Sequence, residues 1–156
     1  MPKTTMPPLQ NEVARLDPVL GCLLGEYDYS VIGEAGGLNH FGVHIEVLHP
    51  GSKSSLRHWH QTEDEMIYML SDEVVLIKEH ETFLHTGDVA CWSAGAATAH
   101  CLESHCGADA SYFAIGTRNQ ADTVHYPNHN LITHRDEATR RHCQSDGSPY
   151  PERTLK

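Results

Sequence analysis

Turn-forming residues interrupt this chain too often for a long helix to fit between them. Pro50-Gly51, the polar run 61–64, Ser71-Asp72-Glu73, Thr86-Gly87-Asp88, the small-residue run 93–98 and the loop 104–109 follow one another closely. What lies between is long enough only for strands. Phe41, Val43, Ile45 and Val47 alternate with Gly42, His44, Glu46 and Leu48, the period of two that gives a strand two different faces. Further strands are predicted at 56–60, 65–70, 74–78, 83–84, 89–92, 99–103 and 111–115, with 65–70 and 74–78 joined as a hairpin through Ser71-Asp72-Glu73. Roughly eight or nine short strands at this spacing are the pattern of an all-β sandwich or barrel.

A chain of 156 residues fits one domain with a core of its own, since domains commonly hold roughly 100 to 200 residues. With 21 acidic against 11 basic residues the formal charge is −10. That disfavours nucleic acid as a partner, because neutralising phosphates takes clustered Lys and Arg. No stretch approaches the roughly 18 apolar residues of a membrane span, and residues 1–10 carry three prolines and no apolar signal-peptide core. The five cysteines, Cys22, Cys91, Cys101, Cys106 and Cys143, are odd in number and lack C-x-x-C spacing. Reduced thiols in a soluble, cytoplasmic protein are expected, with Cys101 and Cys106 the one pair flanking a short loop. Cys91, Cys101 and Met69 are read as core packing.

His58-Trp59-His60 carries the chemistry. Two histidines at i and i+2 on a strand project to the same face. Glu65 follows five residues later, and His100 comes from a more distant strand. Three nitrogens and one carboxylate oxygen could converge on one divalent transition metal ion. Fe, Mn, Ni and Zn all accept such donors, and the lack of thiolate at ligand spacing points away from a structural zinc. Glu63 and Asp64 are acidic rivals to Glu65, but parity places Glu65 on the face of Ile67 and Met69, at the end of an apolar inner row. Trp59 points to the opposite face, where packing is its expected role. His44 shares a face with Glu46: if that face is the barrel interior, His44 is a substrate-binding residue, and otherwise it is solvated. His80, His85, His105, His125, His129, His134 and His142 fall in turns, loops or the tail, where exposure is expected.

Gly51, six residues, His58-Trp59-His60, four residues, Glu65, six residues and Asp72 resemble the first motif of the cupin superfamily; Gly87, five residues, Ser93-Ala94-Gly95, four residues, His100, three residues and Ser104 resemble the second. Asp72 stands where the first motif usually has glycine, Ser93 where the second has proline and Ser104 where it has asparagine. Two extra residues precede His100. The span from about Phe41 to the tail is similar to small single-domain cupins loosely related to mannose-6-phosphate isomerase, most of them without an assigned reaction. The resemblance implies a double-stranded β-helix or jelly-roll barrel over residues 21–125, with an irregular N-terminal arm (1–20, one short helix at 11–16) and an irregular C-terminal extension (126–156) draped on the barrel or on a second subunit. It implies His58, His60, Glu65 and His100 as metal ligands, and a homodimer.

Two functional expectations follow. The first is a metal-dependent enzyme acting on a small polar carboxylate, sugar or hydroxy-ketone inside the barrel, by isomerase, lyase, decarboxylase or dioxygenase chemistry. The second is a non-catalytic cupin that holds a metal and a small ligand as a sensor or store. The acidity and the lack of a DNA-binding element favour the enzyme. A polar, open cavity beside the metal would favour it too, and an apolar, closed one the binder.

Overall fold

The structure, a computed structural model, describes residues 3–12 and 26–151. In chain order the elements are β1 (Gln10–Glu12), β2 (Tyr27–Val31), a one-turn helix α1 (Ile32–Ala35), β3 (Phe41–Leu48), β4 (Trp59–His60), β5 (Glu65–Ser71), β6 (Glu73–Ile77) and β7 (Glu81–His85). There follow β8 (Val89–Trp92), β9 (Cys101–Glu103), β10 (Ala110–Thr117), β11 (Asp122–Tyr126), β12 (Leu131–Arg135) and β13 (Arg140–Cys143). The fold is all-β, a jelly roll of three sheets: β1-β2-β3-β10-β5-β8, β13-β12-β11-β4 and β7-β6-β9. None of the described helices is long and apolar enough to cross a membrane.

Strand alternation gives the large sheet an inner face of three stacked rows. Gly42, Gly116, Glu65 and Trp92 are successive cross-strand partners in the first, and His44, Ala114, Ile67 and Ala90 in the second. Glu46, Tyr112 and Met69 form the third. Below it Leu48, Met69 and Tyr112 are fully buried against Val74, Leu76, Leu84 and Leu102 of the three-stranded sheet. Burying each such side chain stabilises the fold by about 1.5–3 kcal/mol, so the lower half of the roll is the core. Toward the four-stranded sheet the rows change to glycine, alanine and polar residues, and packing gives way to a cavity.

Several expectations need correcting. Residues 65–70 and 74–78 do form strands, but not a hairpin: β5 pairs with β10 and β8, whereas β6 pairs with β7 and β9. The chain changes sheets at Asp72, whose φ of 59° is a left-handed conformation that Asp reaches more easily than most residues. Residues 126–151, expected within an irregular tail, carry regular strands. Within the described part, β12 and β13 extend a ladder from β11 and β4, and Leu131 and Tyr150 pack with Leu56 in a small second core. Backbone pairing holds this polar segment where its side chains alone would not. In the N-terminal arm, Asn11 and Glu12 belong to β1, paired with β2; the rest of the predicted helix at 11–16 lies outside the described residues, as does Cys22. Cys91 is exposed, not core, while Cys101 is buried; Cys101 and Cys106 are both free thiols. His125, His134 and His142 sit part-buried on strands instead of in loops.

Because the tail strands are integral, Leu131→Ala is expected to cost about 2–5 kcal/mol of stability, the usual range for a buried leucine. Urea denaturation measures it; a loss near zero would show that this sheet adds nothing to the fold.

Candidate metal centre

His58 and His100 are reciprocal backbone partners: His58 N–H donates to His100 O at 3.0 Å, and His100 N–H to His58 O at 2.8 Å. Residues paired this way in an antiparallel bridge put their side chains on the same face, and His60, two residues on, shares it. Glu65 reaches the same place from the facing sheet. His100 Nε2 lies 2.9 Å from Glu65 Oε2, and His58 Nε2 lies 3.1 Å from His60 Nε2. Donor atoms of His58, Glu65 and His100 all fall within 4.8 Å of one another. Of the four residues expected from the motif, three form this cluster; His60 joins it only through His58, and a second cluster of possible donors is formed by His60, Glu63 and Asp122.

The far side of each imidazole is already committed. His58 Nδ1 is 2.9 Å from Leu56 O, His100 Nδ1 is 3.1 Å from Thr98 O, and His60 Nδ1 is 2.6 Å from Asp122 Oδ2. Carbonyls and carboxylates only accept, so each Nδ1 must donate, which leaves each neutral Nε2 with a lone pair and no hydrogen. His58 and His60 therefore face each other Nε2 to Nε2, and His100 Nε2 faces the Glu65 carboxylate. Only positive charge can sit between them, as protons or as a cation. Burial pushes the His58 imidazole down to about 4, with His60 and His100 adding to the depression against the pull of Glu65. Burial also opposes charge on His60, but Asp122, then Glu65 and Glu63, outweigh it and raise its pKa above 6.5.

Several residues of the site carry no local signal in the sequence. Asp122, whose side chain is fully buried, also accepts from the Thr62 backbone N–H at 2.9 Å and hydroxyl at 2.8 Å. It fixes the His60 tautomer from 62 residues away. Trp92, the cross-strand neighbour of Glu65, stacks flat on His100 with ring centroids 3.6 Å apart. Trp59, on the other face of its strand as expected, stacks on His125. Of the acidic rivals of Glu65, Asp64 accepts from Ala94 N–H, while Glu63 accepts from Arg135 and Asn119 and keeps its other oxygen 3.8 Å from His60 Nδ1.

Beside the cluster lies an open cavity of about 320 Å³, walled by His60, Glu63 and Glu65 on one side and His44 and Glu46 on the other. Its floor is Ala114 with Gly42 and Gly116, and small residues are needed there. A Cβ on Gly42 would meet Arg118 Nε at 2.9 Å, and one on Gly116 would meet Asp64 O at 3.1 Å. His44 is part-exposed and faces this cavity, its Nε2 3.4 Å from Arg118.

The profile of the cupin domain family matches residues 44–116. A sugar phosphate isomerase from a cupin superfamily of Silicibacter pomeroyi DSS-3 is 30% identical in sequence; the match covers 92% of each chain at a TM-score of 0.86. The chain belongs to the cupin superfamily. A provisionally assigned sugar phosphate isomerase from Acidithiobacillus ferrooxidans is 25% identical, covering 92% of this chain and 88% of that one at a TM-score of 0.78. The polyketide cyclase RemF from Streptomyces resistomycificus, 14% identical over 75% of this cupin and 79% of its own chain at a TM-score of 0.59, shares the fold alone. Comparison with curated proteins gives no match.

The departures of this cupin from the usual motifs leave its geometry intact. Gly51 and Gly95 take the left-handed conformation, and Gly51 N–H donates to Ser104 O while Ser104 N–H donates to Ser52 O, so the ends of the two motifs are stitched together. The two extra residues before His100 are taken up in the loop, and the bridge to His58 sets its register.

In metal-free protein, His58 is expected to stay neutral as pH falls from 7 toward its depressed value, while His60 takes up its proton above pH 6.5. Histidine ring nitrogen shifts followed by NMR check this; a His58 that protonates before His60 would contradict the geometry.

Proposed function

We propose that this cupin is a divalent-metal-dependent isomerase of a small phosphorylated sugar. The observation that carries the reading is the donor set itself: His58, Glu65 and His100 donor atoms within 4.8 Å of one another, with His60 Nε2 3.1 Å from His58 Nε2, beside an open polar cavity. Nitrogen and oxygen donors of this kind suit Fe, Mn, Ni or Zn. His58, His60, Glu65 and His100 would hold the ion, and Asp122 would orient His60 from behind, the usual office of a carboxylate behind a ligating histidine. A bound divalent ion supplies a Lewis acid that draws electron density from a carbonyl or hydroxyl oxygen of the substrate.

The chain's own residues provide the rest. Arg118 and Arg135 are the two arginines of an otherwise acidic cavity, and both also border an outer cleft of about 600 Å³ with Asn39, His40, Asn119, Gln120, Asp136 and Glu137. Arg118 is paired with the exposed Glu34 at 3.2 Å, and Arg135 with Glu63 at 2.6 Å. An exposed pair such as Arg118–Glu34 contributes only about 0–1 kcal/mol, so a phosphate dianion can take its place at small cost. The phosphate would sit at the mouth and the sugar carbon chain inside, against the metal wall. The Silicibacter pomeroyi relative, described as a sugar phosphate isomerase, supports that substrate class. The alternative of a non-catalytic ligand holder is favoured less, because the cavity is polar and open instead of apolar and closed.

Protein purified without an affinity tag is expected to carry close to one divalent transition metal per chain by elemental analysis. His58→Ala and Glu65→Ala should lose it, and Asp122→Ala should weaken binding by about 10–100-fold. Equal, trivial metal in all four proteins would end the reading.

On a panel of pentose and hexose phosphates, the metal-loaded enzyme is expected to interconvert an aldose and its ketose. Arg118→Ala and Arg135→Ala should raise KM by about 10–100-fold, the worth of a charge-assisted hydrogen bond, with metal content unchanged. Turnover of no sugar phosphate by fully loaded wild type would overturn the substrate assignment.

A further inference from the structure

We infer that Glu46 is the catalytic residue that takes and returns the proton during isomerisation; the inference rests on the isomerase reading above. Interconverting an aldose and a ketose needs a base that is not tied up in the donor set. That base must sit across the substrate from the metal wall and have an oxygen free to reach a carbon-bound proton. Of the carboxylates around the cavity, Glu46 alone meets all three conditions.

Its rivals fail on position. Glu65 belongs to the donor set, and Glu63 stands on the same side of the cavity, 3.8 Å from His60 Nδ1 and paired with Arg135. Asp64 directly precedes Glu65 and accepts from Ala94 N–H. Asp122, which stands behind His60, is absent from the cavity wall. Glu46 projects from the inner face of β3 on the far side of Ala114, and it borders two cavities at once. One is the 320 Å³ cavity that opens past Arg118; the other is an inner pocket of about 150 Å³ that also touches His58, Glu65 and His100. A substrate lying over Ala114 would therefore have the metal wall on one side and Glu46 on the other.

The two oxygens of Glu46 are unequal. Oε2 accepts from the Tyr112 hydroxyl at 2.7 Å. Tyr112 is the cross-strand partner of Glu46 and is fully buried in the core, so it cannot swing away and acts as a positioning residue. Oε1 has no hydrogen bond among the described residues; His44 Nδ1 stands 3.9 Å from it. One oxygen is anchored and the other is open to the cavity, as a group that must both collect and release a proton requires.

The step balances without any oxidant or reductant. Glu46 removes the proton from the hydroxyl-bearing carbon next to the aldehyde. The electron pair of that C–H bond becomes the carbon–carbon double bond of an enediolate, and the carbonyl pair moves to its oxygen. The hydroxyl proton passes to that oxygen, the ketone forms at the second carbon, and Glu46 returns its proton to the first carbon.

The test uses metal-loaded, full-length enzyme and the sugar phosphate that the panel identifies, in deuterium oxide, with exchange read by NMR. Wild type is expected to wash deuterium into the substrate carbon. Glu46→Gln, which keeps the shape and an acceptor for Tyr112, should lose about 10²–10⁴ in kcat, with KM and metal content unchanged. Tyr112→Phe should lose about tenfold in kcat at unchanged KM, and the double variant should be no worse than Glu46→Gln, because two residues acting as one unit are not additive. Retention of kcat within about threefold by Glu46→Gln would overturn the role of Glu46 and leave the isomerase reading standing. A loaded wild type that isomerises nothing brings down both.

Discussion

Two backbone hydrogen bonds between His58 and His100 decide where the chemistry of this protein can occur. They set the two imidazoles side by side although their segments belong to different parts of the roll. Strand parity then adds His60 without further help, and the facing sheet adds Glu65 opposite. Each Nδ1 is held by an acceptor, so the ring orientations are fixed before anything binds. The result is a cluster that cannot be neutral and satisfied at once. Burial depresses His58, while the acids around His60 favour its protonation, so a proton and a metal ion compete for the same space. Binding a divalent ion should release that proton, as is general for imidazole sites.

What the sequence revealed follows the range of the forces involved. Alternation over Phe41–Leu48 exposes two faces directly, and parity set Glu65 apart from Asp64 because the side-chain period in a strand is two; Glu63 shares that parity but lies before the strand begins at Glu65. Partner choice between strands was not legible. The turn at Asp72 reads equally well as a hairpin or as a change of sheet, and only the packing of Val74 and Leu76 against the large sheet selects the latter. Asp122 and Trp92 lie in stretches with no motif; each matters through one contact, with His60 and with His100, made only after the chain has folded. The tail misled for a related reason. Segments such as 131–135 and 140–143 hold few apolar residues, and their order comes from pairing with β11 and β4, which composition does not report.

Core and cavity share the same strands. Leu48, Met69 and Tyr112 fill the lower half of the roll, while His44, Glu65 and Ala114 lie one or two rows above on the same three strands. The switch is made by residue size alone: Gly42, Gly116 and Ala114 leave room where larger side chains would complete the core. Stability and site geometry are thereby coupled through short, stiff segments, which is what holding several groups at fixed distances requires. Tyr112 stands at the boundary, with its ring in the core and its hydroxyl on Glu46, so the lower packing fixes the position of a cavity carboxylate.

The chain is strongly acidic, and the two arginines of the cavity are set among acids: Arg118 pairs with the exposed Glu34, Arg135 with Glu63, and Asp136 and Glu137 share the outer cleft with them. The acids around the donor set raise the affinity of the imidazoles for positive charge. Asp122 and Glu63 act on His60 from behind, and Glu65 acts from the front. An ion of two positive charges meets one carboxylate in direct reach and two more behind an imidazole. On the isomerase reading, that distribution would balance a bound ion with protein charge and leave Arg118, whose exposed pair with Glu34 is weak, for the substrate.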